Sequence, residues 1–514
     1  MTLAARSGRI RVLIVNCFSD RERGARGNPR FVPQALTPYA LAGVLDAEQC
    51  EIRVACEFAN GPLEDLRLLA WPQVLVLTGL NPALDRMKQL CAYARLLAPG
   101  VRVIVGGPLA RVLPRHCARF FDLVLGGDVE QLAEALGALH GRSLMSAEPL
   151  PRFDLVPRRQ WTAHAESGRN CNFRCNFCAM TAEGRAHAPR PVAELRRTLE
   201  LLGPQRCVMF LDQNFYAGAR ADFDAKLDLL AEFHARGSLR GWAALVTAEF
   251  FARPELLARA QASGCIGFFS GVESLDAIQL ARMHKKQNLV LPQFERITRC
   301  LDAGLSFHYG LIHDPLACSG QALLDELREL LARPVTLPSF VSLAIPLIGT
   351  PLFDERLQAK ALLPGIRLRD MDGRSLLTQS LDGERASRDL IARMETGGLA
   401  PRAAVLAHGL RLAARYAGRM RPLSFISALS PNAALLLPGL GTARRERLAR
   451  SHDARTEPLG SLYRPLLPMP ERLRAHFEPT QVTDAEGALH EDVRADLEPR
   501  KPRRSVVPLV EEAA

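Results

Sequence analysis

Between residues 10 and 140, short aliphatic and β-branched runs recur at 11–15, 50–55, 74–77, 101–105 and 122–125, separated by amphipathic helical stretches. Short, mostly apolar runs of this kind suit strands covered on both faces. Strands that alternate with helices predict a doubly wound parallel, Rossmann-like sheet. Such sheets bind ligands beyond the carboxyl ends of their strands. There the chain carries Thr78-Gly79, Gly106-Gly107-Pro108 and Gly126-Gly127. Glycine admits either a close backbone approach to a ligand or a tight turn with positive φ, and both readings stand.

A proline-rich joint at 149–157 ends this unit, and a second series follows. Candidate strands lie at 161–167, 207–211, 242–246, 266–271, 307–312 and 340–345, with helical patterns near 192–203, 221–236, 254–263, 289–303 and 320–333. Six βα units predict a partial (β/α)6 TIM-type barrel, in which chemistry belongs on the loops after the strands. From about residue 375 the periodicity weakens into a mainly helical and irregular C-terminal region. Its clearest helix, 403–420, places Leu406, Leu410, Ala413 and Ala417 on one face, which we read as packing on the barrel. Arg411, Arg415 and Arg419 lie elsewhere on it, and a basic amphipathic helix also suits a membrane surface or lipid. The expected division is 1–148 for the first sheet, 149–372 for the barrel, 373–495 for an accessory region and 496–514 for a disordered tail.

Composition agrees with a large folded enzyme: 514 residues, 48 % hydrophobic and 24 % charged. The net charge of +11 is spread arginine by arginine, and aromatics make up only 6 %. A nucleic-acid interface would need a dense basic stripe with stacking rings, so no nucleic-acid partner is expected. No apolar stretch reaches the length of a spanning helix, and the N-terminal apolar run is too short for a signal peptide. A cytoplasmic location follows. In a reducing compartment the twelve cysteines are core filler or chemistry rather than a disulfide framework. Cys17, Cys50, Cys56, Cys91, Cys117, Cys207, Cys265 and Cys300 are scattered and read as core, whereas Cys318 follows the fifth barrel strand, where chemistry is possible.

One trio is clustered: Ser167-Gly-Arg-Asn-Cys171-Asn-Phe-Arg-Cys175-Asn-Phe-Cys178, on the loop after the first barrel strand. Thiolates are soft ligands for iron–sulfur clusters or zinc. Three of them can hold three irons of a cubane and leave the fourth iron open to a small chelating molecule. A closed zinc site instead wants four ligands, with His164 as a poorly placed fourth.

This C-x3-C-x-aromatic-C spacing, with Phe177 at the aromatic position, resembles the hallmark of the radical S-adenosylmethionine (SAM) superfamily. The resemblance implies that Cys171, Cys175 and Cys178 ligate a [4Fe–4S] cluster whose open iron chelates SAM. It further implies an external electron donor such as flavodoxin or ferredoxin, and a small-molecule substrate attacked by a 5′-deoxyadenosyl radical. Phe210-Leu-Asp212-Gln-Asn214-Phe215 sits where relatives contact the SAM amino group, and Gly271-Val-Glu273-Ser274 is similar to their ribose motif. Ile345-Pro-Leu-Ile-Gly-Thr-Pro351 resembles the family's P-x-x-G-T-P. Gly310-Leu-Ile-His-Asp314 departs from the glycine-rich adenine turn. From the residues alone, Asp212 also reads as a helix cap and Glu273 as half of a structural ion pair.

The first sheet resembles the cobalamin-binding domain that precedes the barrel in one class of this superfamily, which implies Thr78, Gly79, Gly106, Gly107 and Gly126 as cobalamin contacts. The stretch from Cys17 to Gly24 lacks the cobalt-ligating histidine of other cobalamin proteins. With cobalamin bound, the implied reaction is methylation of an unactivated carbon of a secondary-metabolite or lipid-like substrate. With the domain empty, it is a rearrangement, oxidation or coupling by the same radical. A non-catalytic iron–sulfur or zinc protein is the reading from a different class.

Overall fold

A computed structural model describes residues 8–18, 34–157, 160–373, 375–436, 459 and 463–497. Strands β1 (Ile10–Asn16), β2 (Cys50–Cys56), β3 (Val74–Thr78), β4 (Arg102–Gly106) and β5 (Leu123–Leu125) form a sheet in the order β2-β1-β3-β4-β5. Every pairing in it is parallel. The apolar runs divide between its two faces with period two. Leu13, Val15, Leu75, Leu77, Val103 and Val105 pack with helix Leu84–Leu97 on one side. Val12, Ile14, Val74, Val76 and Ile104 pack with helix Glu130–His140 on the other. Both faces are covered, so β3 is buried at all of its positions. The strand order reverses between β1 and β3, the crevice where open sheets of this kind bind ligands.

The second unit is the expected partial barrel. Strand β6 (Thr162–Ala165) is followed by a two-stranded antiparallel clasp of β7 (Gly168–Arg169) and β8 (Ala188–Pro189). Then come β9 (Gln205–Phe210), β10 (Leu239–Leu245), β11 (Cys265–Phe269), β12 (Ser306–His308), β13 (Gly310–His313) and β14 (Phe340–Leu343). The parallel order β12-β11-β10-β9-β6 continues through β13 and β14, with Tyr309 separating β12 from β13 and a bridge from Glu273 to Leu311 joining β13 to the end of β11. Under the helices, Phe210, Phe215, Trp242, Phe250 and Phe268 interlock edge-to-face or tilted at centroid distances of 4.7–6.1 Å. This aromatic layer holds the strand ends in fixed positions, which a site on their loops needs. Among the described residues no helix is long and apolar enough to cross a membrane.

The region 373–495 contributes to both units. Helices Arg402–Tyr416 and Pro422–Leu436 pack on the barrel. The contact face differs from the expected one: Val405, His408, Leu412 and Tyr416 are buried, whereas Leu406 and Leu410 are 53 % and 65 % exposed. The helix is apolar on two opposite sides, so periodicity alone could not say which side meets the barrel. Residues 463–497 instead close over helix Leu84–Leu97 of the first unit. There Asp85 accepts from Tyr463 Oη at 2.7 Å and Thr480 Oγ1 at 2.7 Å and pairs with Lys88 at 3.1 Å. Asp496, placed in the expected tail, is buried and accepts from the backbone N–H groups of Arg115 and His116. The rest of that tail, 498–514, lies outside the described residues.

His476 is buried with its ring edge-on to Phe120. Burial first, then the charges of Arg95 and Lys88, push its pKa from 6.5 down to about 4. The unfolded chain therefore takes up a proton that the folded chain refuses. This contribution to stability is complete above pH 6.5 and is lost as pH falls from there toward about 4. Denaturant unfolding of wild type should lose about 2.5 kcal/mol more than that of His476→Phe between about pH 7 and 4.5; parallel pH profiles would show that His476 is not a source of acid sensitivity.

Candidate active site

The three clustered cysteines lie on the loop that leaves β6 through β7, at the carboxyl edge of the barrel. The chain turns at Asn170, a residue at φ 62°, whose side chain donates to Ala186 O at 3.0 Å. Cys178 then serves as N-cap of helix Ala179–Glu183. Cys175 is buried, whereas Cys171 and Cys178 are half-buried. The sulfurs receive donors from the protein: Phe173 N–H to Cys171 Sγ at 3.5 Å, and Gln287 Nε2 to Cys175 Sγ at 3.4 Å. Burial pushes the thiols of Cys171 and Cys178 up, and binding a cation would favour their thiolate forms.

A second loop, after β11, clasps the first. Asn176 N–H donates to Met283 O at 3.2 Å and Asn176 Nδ2 to Arg282 O at 2.9 Å. Beyond them Lys285, Gln287 and Asn288 are all buried. Lys285 forms an ion pair with Glu273 and lies 5.7 Å from the centroid of the Phe177 ring. Glu273 sits at φ 63°, and a Cβ at Gly271 would collide with Glu273 Oε1 and Lys285 Nζ. Glycine at 271 thus leaves the room this pair occupies. Asn288 holds the loop by donating to Gly271 O at 2.7 Å and Val272 O at 3.1 Å, and accepts from Arg296 at 3.1 Å.

The other expected contacts divide. Asn214 belongs to the cysteine loop's support: its Nδ2 donates to Asn172 Oδ1 at 3.0 Å, and its Oδ1 accepts from Thr247 N–H at 3.4 Å. Asp212 spends both carboxylate oxygens on Ser167, at 2.9 Å to N–H and 2.6 Å to Oγ, and burial pushes its carboxyl up. Ser274 donates to Glu326 at 2.5 Å. Thr350 of the P-x-x-G-T-P stretch caps helix Pro351–Gln358 through Phe353 N–H. Lys285 and Gln287 were not foreseen, because a polar run such as His284–Asn288 reads as an exposed loop until its burial is known. Cys318 stands 3.4 Å from His313 Nδ1, and burial pushes its thiol up to about 11.

The glycine edge of the first sheet meets this site directly. Arg169 pairs with Glu130 at 3.0 Å, Arg185 pairs with Asp128, and Arg111 lies 3.7 Å from Glu183. A Cβ at Gly107, at φ 104°, would lie 3.0 Å from Gly79 O and 3.5 Å from Thr78 Oγ1, so those three residues pack on one another. Gly106 has nothing nearer than 3.7 Å and Gly126 nothing nearer than 3.6 Å to the position of a Cβ. A Cβ there would make ordinary contact, with Leu125 O at Gly106 and with Arg111 at Gly126, and the Gly126 carbonyl accepts from Arg111 and Arg185.

No family model matches the chain. The hopanoid C-2 methylase of Rhodopseudomonas palustris (strain TIE-1) is 25 % identical over 265 residues, covering 47 % of this chain and 50 % of the methylase. The chain thus spans about half the length of that curated relative. The radical SAM methyltransferase TsrM from Kitasatospora setae, solved with tryptophan and a SAM analogue, superposes with a TM-score of 0.51 at 18 % identity over 69 % of this chain and 78 % of TsrM. The cobalamin-dependent SAM radical enzyme OxsB, solved with aqua-cobalamin and SAM, superposes with a TM-score of 0.59 at 13 % identity over 91 % of this chain and 79 % of OxsB. The chain has the fold of cobalamin-dependent radical SAM enzymes. Both expected units are present in it, and they adjoin at the loops that the sequence picked out.

Among the described residues, no three His, Cys, Asp or Glu side chains converge on a single ion. Thiols that each meet a different iron of a cubane stand wider apart than ligands of one ion, and the set of three thiol donors fits the cluster. The buried Glu273–Lys285 pair sets the local geometry, and removing one partner strands the other charge. Lys285→Met should lower unfolding free energy by about 3 kcal/mol, with part of the loss recovered in the Glu273→Gln, Lys285→Met double variant. A loss below about 1 kcal/mol would mean that the pair is solvated rather than structural.

Proposed function

We infer that the protein is a cobalamin-dependent radical SAM methyltransferase that methylates an unactivated carbon of a small molecule of secondary-metabolite or lipid-like character. The observation that carries this reading is the junction of the two units: the edge bearing Gly106 and Gly126 docks beside the helix that begins at Cys178. A methyl carrier and a radical source must face one substrate, and a junction of the two candidate edges supports that arrangement. A [4Fe–4S] cluster with SAM would supply the hydrogen-abstracting radical, and cobalamin the methyl group.

Cys171, Cys175 and Cys178 would hold the cluster, each half-buried or buried on a loop clasped by Asn176. Gln287 donates to the Cys175 sulfur and thereby favours the more reduced, more negative state. Phe177 and the Glu273–Lys285 pair lie beside the cysteine loop, where Lys285, shared with Glu273, would orient an anionic group such as the carboxylate of an amino acid. Asn214 and Asp212 fix the loop through Asn172 and Ser167, beside the place where SAM would bind. Gly106 and Gly126 would line the cobalamin edge, where Arg111 and Arg185 already hold the Gly126 carbonyl, with shape rather than a histidine as the basis of binding. Electrons come from an external donor of the flavodoxin or ferredoxin kind. One observation favours the non-methylating alternative: Thr78, Gly79 and Gly107 pack on one another, which tight turns alone explain.

Anaerobically reconstituted protein with SAM, reductant and hydroxocobalamin should form 5′-deoxyadenosine and retain cobalamin through desalting. Cys175→Ala should form no deoxyadenosine and lose the cluster's absorbance. Deoxyadenosine without retained cobalamin would move the assignment to a non-methylating radical reaction. An intact cluster whose paramagnetic spectrum ignores SAM would overturn the radical SAM reading itself. In a spectroscopic redox titration, Gln287→Leu should shift the cluster to a more negative potential by on the order of 40 mV, the one-electron equivalent of a hydrogen bond worth about 1 kcal/mol. An unchanged potential would show that this donor does not reach the sulfur.

A further inference from the structure

The helical pair Arg402–Tyr416 and Pro422–Leu436 turns one apolar face to the barrel and a second one to solvent. On the outer side Leu406, Leu410, Leu423 and Ile426 are 53 %, 65 %, 40 % and 66 % exposed. Their spacing follows one stripe on each helix: Leu406 and Leu410 four apart, Leu423 and Ile426 three apart, with Ala403, Ala414, Ala433 and Ala434 exposed beside them. Four large aliphatic side chains exposed together on neighbouring helices are what monomeric surfaces avoid and interaction surfaces keep.

The charges that the helical pair itself carries have one sign. From Gly397 to Leu436 the chain contains Arg402, Arg411, Arg415, Arg419 and Arg421 and no lysine, aspartate or glutamate. All five arginines are exposed. Arg411 reaches back to Leu331 O at 2.5 Å, and Arg415 lies 3.6 Å from the exposed Asp302; Asp302 lies on the barrel helix Gln293–Asp302. On helix Arg402–Tyr416 the arginines flank the apolar stripe at 402, 411 and 415, the arrangement of a helix that lies in a bilayer interface with leucines down and guanidinium groups at headgroup level.

We propose that this outer face docks the protein on an anionic lipid bilayer. The sign of the charge selects the occupant. A second copy would set arginine against arginine. The following segment of this chain, 437–458, carries five arginines against three acidic residues, so it too would meet the face with like charge. A phospholipid surface rich in anionic phosphodiester headgroups offers the opposite charge and an apolar layer beneath it. Docking leaves the site accessible: Ser427 of the pair hydrogen-bonds Ser306 at 3.1 Å and His308 at 2.7 Å, in β12, and Arg419 O lies against Gly304 ahead of that strand. The pair therefore packs along β12 and the turn before it, at one edge of the five-stranded sheet, whereas the cysteine loop follows β6 at the other edge.

The test is co-sedimentation of the reconstituted full-length protein with phosphatidylcholine vesicles, with and without phosphatidylglycerol. Binding should require phosphatidylglycerol, weaken as salt rises, and fall on the order of tenfold in Leu410→Ser, Ile426→Ser and again in Arg419→Glu, Arg421→Glu. Deoxyadenosine formation should be unchanged in both variants, which separates failure here from failure of the proposed activity. Equal sedimentation with both vesicle types, or variants that bind like wild type, would overturn the proposal. So would concentration-dependent self-association abolished by the same leucine and isoleucine changes, which would make the face a contact between copies. Capture by an acidic polypeptide that ignores the Leu410 and Ile426 changes would overturn it in favour of an acidic protein partner.

Discussion

Every strand in the two five-stranded sheets runs parallel to its neighbours, and the rest of the molecule follows from that constraint. A parallel pair cannot be joined by a short hairpin, so each strand must return through a crossover on the sheet's face. All loops that leave the strands then emerge on one edge. The first sheet thereby gathers Thr78, Gly79, Gly106, Gly107 and Gly126, although they are spread over nearly fifty residues of chain. The barrel gathers the cysteine loop after β6, the Asp212–Asn214 turn after β9 and the Glu273–Lys285 pair after β11. What remains is to bring the two edges together, and Arg169 with Glu130 and Arg185 with Asp128 do so across the joint.

The cysteine loop itself has little hydrophobic support, and its shape depends on polar groups taken from elsewhere. Asn176 is tied to the 282–283 backbone, Asn172 to Asn214, and Ser167 to Asp212. A buried polar group without a partner is costly, so each of these residues restricts the loop strongly. Two of the expected ligand contacts take part in this support as well. Asp212 and Ser274 direct their oxygens at Ser167 and Glu326. The groups left facing the thiols are Gln287 and, beside Phe177, Lys285.

The C-terminal region shows a second kind of division. One part rides on the barrel and the other is stitched to the first sheet through Asp85, Tyr463 and Thr480. Burying Asp85 is tolerable because Lys88 and two hydroxyl donors surround it. A chain that returns across both units makes their relative placement a property of the whole fold rather than of the joint at 149–157.

The sequence by itself determined the strands, the helices that separate them and the cysteine trio. Apolar runs of four to seven residues between amphipathic helices have one low-energy arrangement, and three thiols at that spacing are rare outside metal chemistry. Tertiary structure alone decided which apolar side of helix Arg402–Tyr416 is buried, since Val405, Leu412 and Tyr416 make as good a stripe as Leu406 and Leu410 until a barrel is packed against one of them. It alone decided that Lys285 and Gln287 are buried at the thiols, because burial of a polar side chain depends on what another loop covers it with. Local pattern encodes what a segment becomes, whereas contacts over a hundred residues apart, such as Gln287 to Cys175, exist only once the chain has closed.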